Sequence, residues 1–96
     1  MALRDYELVT VFDPDVPDDQ VPTAIERISQ FVTGRGGEVV EVTPWGRRKL
    51  AYPIRRKLEG SYVVAQLRLD PTRVAELDAN LRIAEDVLRH LVVRKE

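Results

Sequence analysis

The stretch GSYVVAQLRLDPTRVAELDANL, residues 60–81, decides the fold, because it changes from one structural period to another at one pair of residues. From Gly60 to Leu69, the positions Ser61, Val63, Ala65, Leu67 and Leu69 alternate with Tyr62, Val64, Gln66 and Arg68, the period of two that a strand requires. Asp70-Pro71 then supplies a helix start. A carboxylate suits the cap, and proline suits the first helical position, where an amide hydrogen would have no partner. Val74, Leu77 and Leu81 continue at helical spacing, which predicts a helix over residues 71–81.

Working outward, Asp86 to Val93 is rich in Val and Leu and reads as a final strand, although Leu88, Leu91 and Val92 also fit a helix. On the amino-terminal side, Glu38 to Tyr52 is a long strand-like stretch in which Trp45-Gly46 is read as a bulge. Pro53 to Glu59 reads as a charged connection. Upstream, Val21, Ile25, Ile28 and Val32 recur at steps of four, three and four, the signature of one helical face over residues 19–33. Pro22 is tolerated in its first turn, and Gly34, Gly36 and Gly37 are expected to close it in conformations that side chains disfavour. Arg4 to Phe12 alternates as a strand, and Asp13-Pro14-Asp15 stops it.

The order is therefore βαββαβ within one domain, residues 1–96, with no linker, repeat or low-complexity tract. It predicts an α+β, ferredoxin-like domain: a four-stranded antiparallel sheet with two helices on one face and the other face free to bind.

Composition narrows the function. The 96 residues, 44% hydrophobic with five glycines and six prolines, describe a folded chain with one small core. The absence of cysteine excludes disulfides, thiolate metal sites and cysteine nucleophiles. Neither a signal peptide nor an apolar run of membrane-spanning length is present, so a soluble, cytoplasmic chain is expected. Net charge is only −1, but its distribution is uneven. Asp13, Asp15, Asp18, Asp19 and Glu26 load the early chain with acid, whereas Arg47, Arg48, Lys49, Arg55, Arg56 and Lys57 form a basic block.

The segment WGRRKLAYPI, residues 45–54, carries the clearest chemistry. Cationic groups neutralise phosphates, and Trp45 or Tyr52 offers a stacking surface to unpaired bases. The competing account is that these charges keep an exposed hairpin soluble and discourage edge pairing. The second triplet, Arg55-Arg56-Lys57, concentrates positive potential and tilts the balance towards phosphate. Arg89, His90, Arg94 and Lys95 extend the basic surface, and Arg4 joins them if the first and last strands are neighbours.

Catalysis finds little support. There is no glycine-rich phosphate loop with its lysine, no spaced set of metal ligands, and no base for Ser29 or Ser61; the lone His90 is assigned a structural or surface role. The aspartates of residues 13–19 are read as a strand stop and helix start in preference to a metal loop. No cofactor, metal or small-molecule substrate is expected. Tyr6 and Tyr62 lie on the sheet, with core packing as the default role.

Tyr6-Glu7, WGRRKLAYPI at 45–54, Glu59-Gly60-Ser61-Tyr62-Val63 and the ending ELDANLRIAEDVLRHLVV together resemble the bacterial small-subunit ribosomal protein S-six family over nearly the whole chain. The resemblance implies the ferredoxin-like fold reached above, and binding to the central domain of small-subunit ribosomal RNA together with ribosomal protein S-eighteen. By motif correspondence it makes Tyr6, Arg82, Arg89 and Arg94 RNA-facing, with Arg4 beside them. It also implies that the strand from Arg47 to Tyr52, with Arg48 and Lys49, contributes to the partner interface, and the charge and aromatic pattern adds Trp45, Arg55, Arg56 and Lys57 to an interface with RNA or the partner protein. A protein-only interaction module is the alternative, and an acylphosphatase-like enzyme of the same fold ranks third.

Overall fold

Alternation in residues 4–12 becomes a strand with two different faces. In the computed structural model, which describes residues 3–95, β1 (Arg4–Phe12) buries Tyr6, Leu8, Thr10 and Phe12 against two helices, while Glu7, Val9 and Val11 face the opposite side. A 3-10 turn at Asp18–Gln20 leads into α1 (Val21–Thr33). Val21, Ala24 and Val32 of α1 are buried on the sheet, with Ile25 and Ile28 packed beside them. Only Gly36 of the three closing glycines takes a left-handed conformation, at φ 78°; Gly34 is helical at φ −64°. With Gly36 so turned, the Gly37 amide donates back to the Val32 carbonyl at 3.0 Å and ends the helix.

Next come β2 (Glu38–Ile54) and β3 (Lys57–Leu69), a hairpin joined by Arg55 and Arg56 alone. The expected connection over residues 53–59 is thus mostly strand, because Ile54 pairs with Lys57 across a two-residue turn. The expected bulge is present: pairing shifts between Pro44 and Gly46, and Gly46 sits at φ 81°. A 3-10 turn at Pro71–Arg73 and α2 (Val74–Ile83) follow. Val87–Arg94 then forms β4, which settles the strand-or-helix choice for the last segment.

The strand order is β2-β3-β1-β4, antiparallel throughout. Both helices lie on one face. Between helices and sheet, Leu8, Phe12, Val32, Leu67, Leu69, Leu77 and Leu81 are buried essentially completely. This is the ferredoxin-like α+β arrangement. β1 and β4 are neighbours, as the placement of Arg4 beside the carboxyl-terminal cations required.

The helix start read from Asp70-Pro71 is realised in side-chain geometry. Asp70 stays extended (φ −63°, ψ 129°) and accepts from the Thr72 amide at 2.9 Å and the Thr72 hydroxyl at 2.8 Å. These two bonds hold its carboxyl below the usual carboxylate range. A lowered folded-state value stabilises the protein above the ordinary value of about 4, and that contribution is lost as pH falls through the folded value. Asp70→Ala is therefore expected to lower the thermal midpoint at pH 7 and to converge with the wild type in acid. A gap that stays constant in melts across pH 2–7 would show that the carboxylate charge plays no part.

Candidate nucleic-acid interface

The β2–β3 hairpin outruns the rest of the sheet, because β1 stops pairing with β3 at Phe12↔Ser61 while β3 begins at Lys57. The overhanging part does not stand free. Leu50 is buried against Val11 and Leu88, with Ile54 and Tyr62 at the margin, on the face opposite the helices. A second, smaller core thus covers one end of the sheet face that the sequence reading left open. Apolar burial folds the hairpin down, and its polar side chains are displayed from a fixed base.

Two aromatic residues of this hairpin carry cations. Trp45 is 50% exposed, with the Arg48 guanidinium 5.3 Å from its ring centroid. Tyr52 is 55% exposed; Arg89 of β4 donates to its hydroxyl at 2.9 Å, with the guanidinium 6.0 Å from the ring centre. Each pair presents a flat ring beside a fixed positive charge, a combination suited to a base and its phosphate.

The basic block then divides. Arg47 is spent internally: it donates to the Pro14 carbonyl at 3.0 Å and pairs with Asp18 at 3.3 Å and Glu59 at 3.4 Å. Lys57 pairs with Asp15 and Asp13, and its hydrogen bond to Asp15 raises its pKa above the ordinary lysine value. These two residues, expected at the interface, tie the hairpin to the acidic loop after β1. Arg55 donates to the Glu85 carbonyl at 3.3 Å. Arg48, Lys49 and Arg56 have no acidic partner among the described residues.

The residues expected to face RNA do not form one patch. Strand pairing puts Arg89 opposite Val11 on the face away from the helices, and Arg94 opposite Tyr6 on the helix side. Arg4 shares the Tyr6 side, and Arg82 on α2 pairs with Asp78 at 2.5 Å. Tyr6 is only 6% exposed within the main core, so its ring offers no stacking surface. His90 contacts Asp78 at 2.7 Å and joins β4 to α2; this bond, with Arg82 in support, holds the Asp78 carboxyl low. Among the described residues no group of acidic or histidine side chains is arranged to hold a metal.

Sequence reasoning missed an apolar strip on the face away from the helices. Val9, Leu91 and Val93 follow each other across β1 and β4, with Leu91 and Val93 exposed. Val9, Val11, Tyr62, Arg89 and Leu91 line a shallow groove of about 120 Å³ there. The alternation of Arg89, Leu91 and Val93 against His90, Val92 and Arg94 carried this signal, once the strand was assigned.

A family model described as Ribosomal protein S6 matches residues 5–94 of the chain. The chain belongs to the ribosomal protein S6 family. Membership makes it a ribosomal protein of the small subunit, in a family of structural ribosomal proteins and not of enzymes. It is 38% identical over 94 residues to the small ribosomal subunit protein bS6 of Desulforudis audaxviator, covering 98% of this chain and 100% of that one. It is 43% identical to bS6 of Acidothermus cellulolyticus, covering 98% of each. In structure it is similar to 30S ribosomal protein S6 from Thermotoga maritima, with a TM-score of 0.90, 30% identity, and 97% and 88% of the two chains covered. In this S6-family chain the run WGRRKLAYPI forms the distal half of β2, the portion the second core folds down. No helix of the described residues is long and apolar enough to cross a membrane.

Proposed function

We propose that this chain binds the central domain of small-subunit ribosomal RNA jointly with ribosomal protein S-eighteen, as one unit over residues 1–96 without catalysis. The observation that carries the reading is the Tyr52–Arg89 pair, in which a half-exposed ring and a guanidinium from different strands are fixed to each other above a buried base. A fixed pair loses less conformational freedom on binding than two mobile side chains. Arg48, Lys49 and Arg56 extend the positive surface from the hairpin; Arg82, Arg94 and Arg4 provide a second, separate contact on the helix side. Tyr6 serves the core and supports these positions from beneath.

The apolar strip of half-buried Val9 with exposed Leu91 and Val93 favours a protein partner beside the RNA, since apolar surface has little to gain from phosphate. A net charge of −1 gives the chain weak long-range attraction for RNA, which a joint complex with a basic partner overcomes. Recognition is of junction shape, because A-form RNA conceals its major-groove edges from side chains.

Binding to a central-domain RNA fragment across a salt series, with and without S-eighteen and against a scrambled RNA, tests this. Arg89→Ala and Arg48→Ala should each weaken joint binding by about tenfold, and whichever residue contacts phosphate should flatten the salt dependence by about one unit. Unchanged affinity for both variants would remove them from the interface. Absence of specific RNA binding, even with S-eighteen, would leave a protein-only module.

A further inference from the structure

The turn at the tip of the hairpin is built from residues its geometry disfavours. Ile54 pairs with Lys57, so Arg55 and Arg56 alone reverse the chain, at φ 50° and φ 65°. Two consecutive positive φ values are the pattern of a type I′ turn, for which Asn-Gly and related pairs are strongly preferred. L-residues with long side chains resist this region, because their Cβ crowds the following carbonyl oxygen. Among the described residues, these two arginines are the only non-glycine positions with positive φ.

Their placement adds to this. Arg55 reaches the Glu85 carbonyl in the α2–β4 connection, and Arg89 near the start of β4 reaches back to Tyr52 on the hairpin. Tip and β4 are therefore held together, which gathers Arg55, Arg56 and Arg89 at one end of the molecule. The neighbouring Lys57 is neutralised by Asp13 and Asp15, and Arg56 has no acidic partner among the described residues. Strain maintained at a turn that carries two adjacent cationic side chains, one of them without an acidic partner, is the pattern of a site kept for binding.

We propose that the Arg55-Arg56 turn is a grip for RNA phosphate, in which Arg56 supplies the free guanidinium and Arg55, anchored on the Glu85 carbonyl, fixes the tip. This rests on the RNA-binding reading above and divides the basic hairpin by function: the tip meets RNA, while Arg47 and Lys57 hold the hairpin in place. The planar guanidinium fork matches two phosphate oxygens, and adjacent arginines can engage one phosphate or two successive ones.

Stability and binding must then move in opposite directions when the turn is relaxed. In the double variant Arg55→Asn/Arg56→Gly the thermal midpoint should rise by roughly 4 °C or more. Its affinity for the central-domain RNA fragment, with S-eighteen present, should fall about tenfold, with a salt dependence shallower by up to about two units. The charge-keeping variant Arg55→Lys/Arg56→Lys should retain most of the salt dependence and show no rise in midpoint. A relaxed variant that melts higher yet binds RNA with wild-type affinity and salt slope would reduce the turn to a strained connector and overturn the proposal. So would loss of S-eighteen binding in the absence of RNA with the RNA salt slope intact, which would assign the tip to a protein carboxylate. Failure of the wild type itself to bind the fragment would instead defeat the RNA reading as a whole, and the grip with it.

Discussion

Replacing Phe12 by alanine is expected to destabilise this protein by about 3–5 kcal/mol. Phe12 ends β1, is fully buried, and sits where Ala24 and Ile28 of α1, Leu81 of α2 and Val87 of β4 converge. Removing the ring exposes parts of both helices and two strands to one void, which rigid elements on opposite sides cannot collapse to fill. A domain of this length has a total stability of roughly 5–15 kcal/mol, so about a fifth of it or more is at stake. Urea unfolding followed by circular dichroism should show the midpoint falling by roughly 2–4 M. Phe12→Leu, which keeps most of the volume, should lose far less. A loss under about 1 kcal/mol for the alanine variant would mean that the convergence of elements at Phe12 is not the tightest point of the core.

The second large effect is expected from Gly60→Val, which acts on the proposed interface without touching any residue assigned to it. A Cβ at Gly60 would lie 2.6 Å from Val11 Cγ1 and 2.9 Å from the Phe12 carbonyl oxygen, one a core side chain and the other backbone. The hairpin can accept the new atoms only by lifting away from β1. Overpacking of this kind costs about 1–3 kcal/mol. Lifting would also withdraw Leu50 from Val11 and Leu88 and separate Tyr52 from Arg89. The variant should therefore lose RNA affinity about as much as Arg89→Ala does, measured at a temperature where it remains folded. Amide and side-chain NMR shifts should change at Tyr52 on β2 and at Arg89 on β4, neither of which the new side chain touches. Wild-type shifts at both positions would show that the second core does not position the pair.

Pairing of charges also explains why a near-neutral chain can present a basic surface. Much of its acid is committed within the fold: Asp13, Asp15 and Asp18 to the hairpin, Asp78 to His90 and Arg82, Asp86 to Arg27, Glu76 to Arg73 and Arg35. Exposed pairs of this sort add little to stability. Their consequence is distributional, since the cations without partners are concentrated on the hairpin and along β4.

The order of elements, the helix-facing residues and the start of α2 were legible in the sequence, because each follows from local periodicity or local punctuation. Leu8 and Phe12 of β1, Leu67 and Leu69 of β3, and Leu77 and Leu81 of α2 fall on the buried side that a period of two or 3.6 assigns them. The S-six resemblance was likewise carried by contiguous runs, and the family match spans residues 5–94. What tertiary structure alone decided is which cations remain available. Arg47 meets Asp18 across 29 positions, Lys57 meets Asp15 across 42, and Arg89 meets Tyr52 across 37. No local period encodes such pairs; they depend on strand register and on how far the hairpin folds over the sheet. The same applies to Tyr6, which shares a strand face with the core and is buried because the helices close over it. Side-chain direction is a property of the local backbone, whereas availability to a ligand is set by whatever distant segment arrives on top.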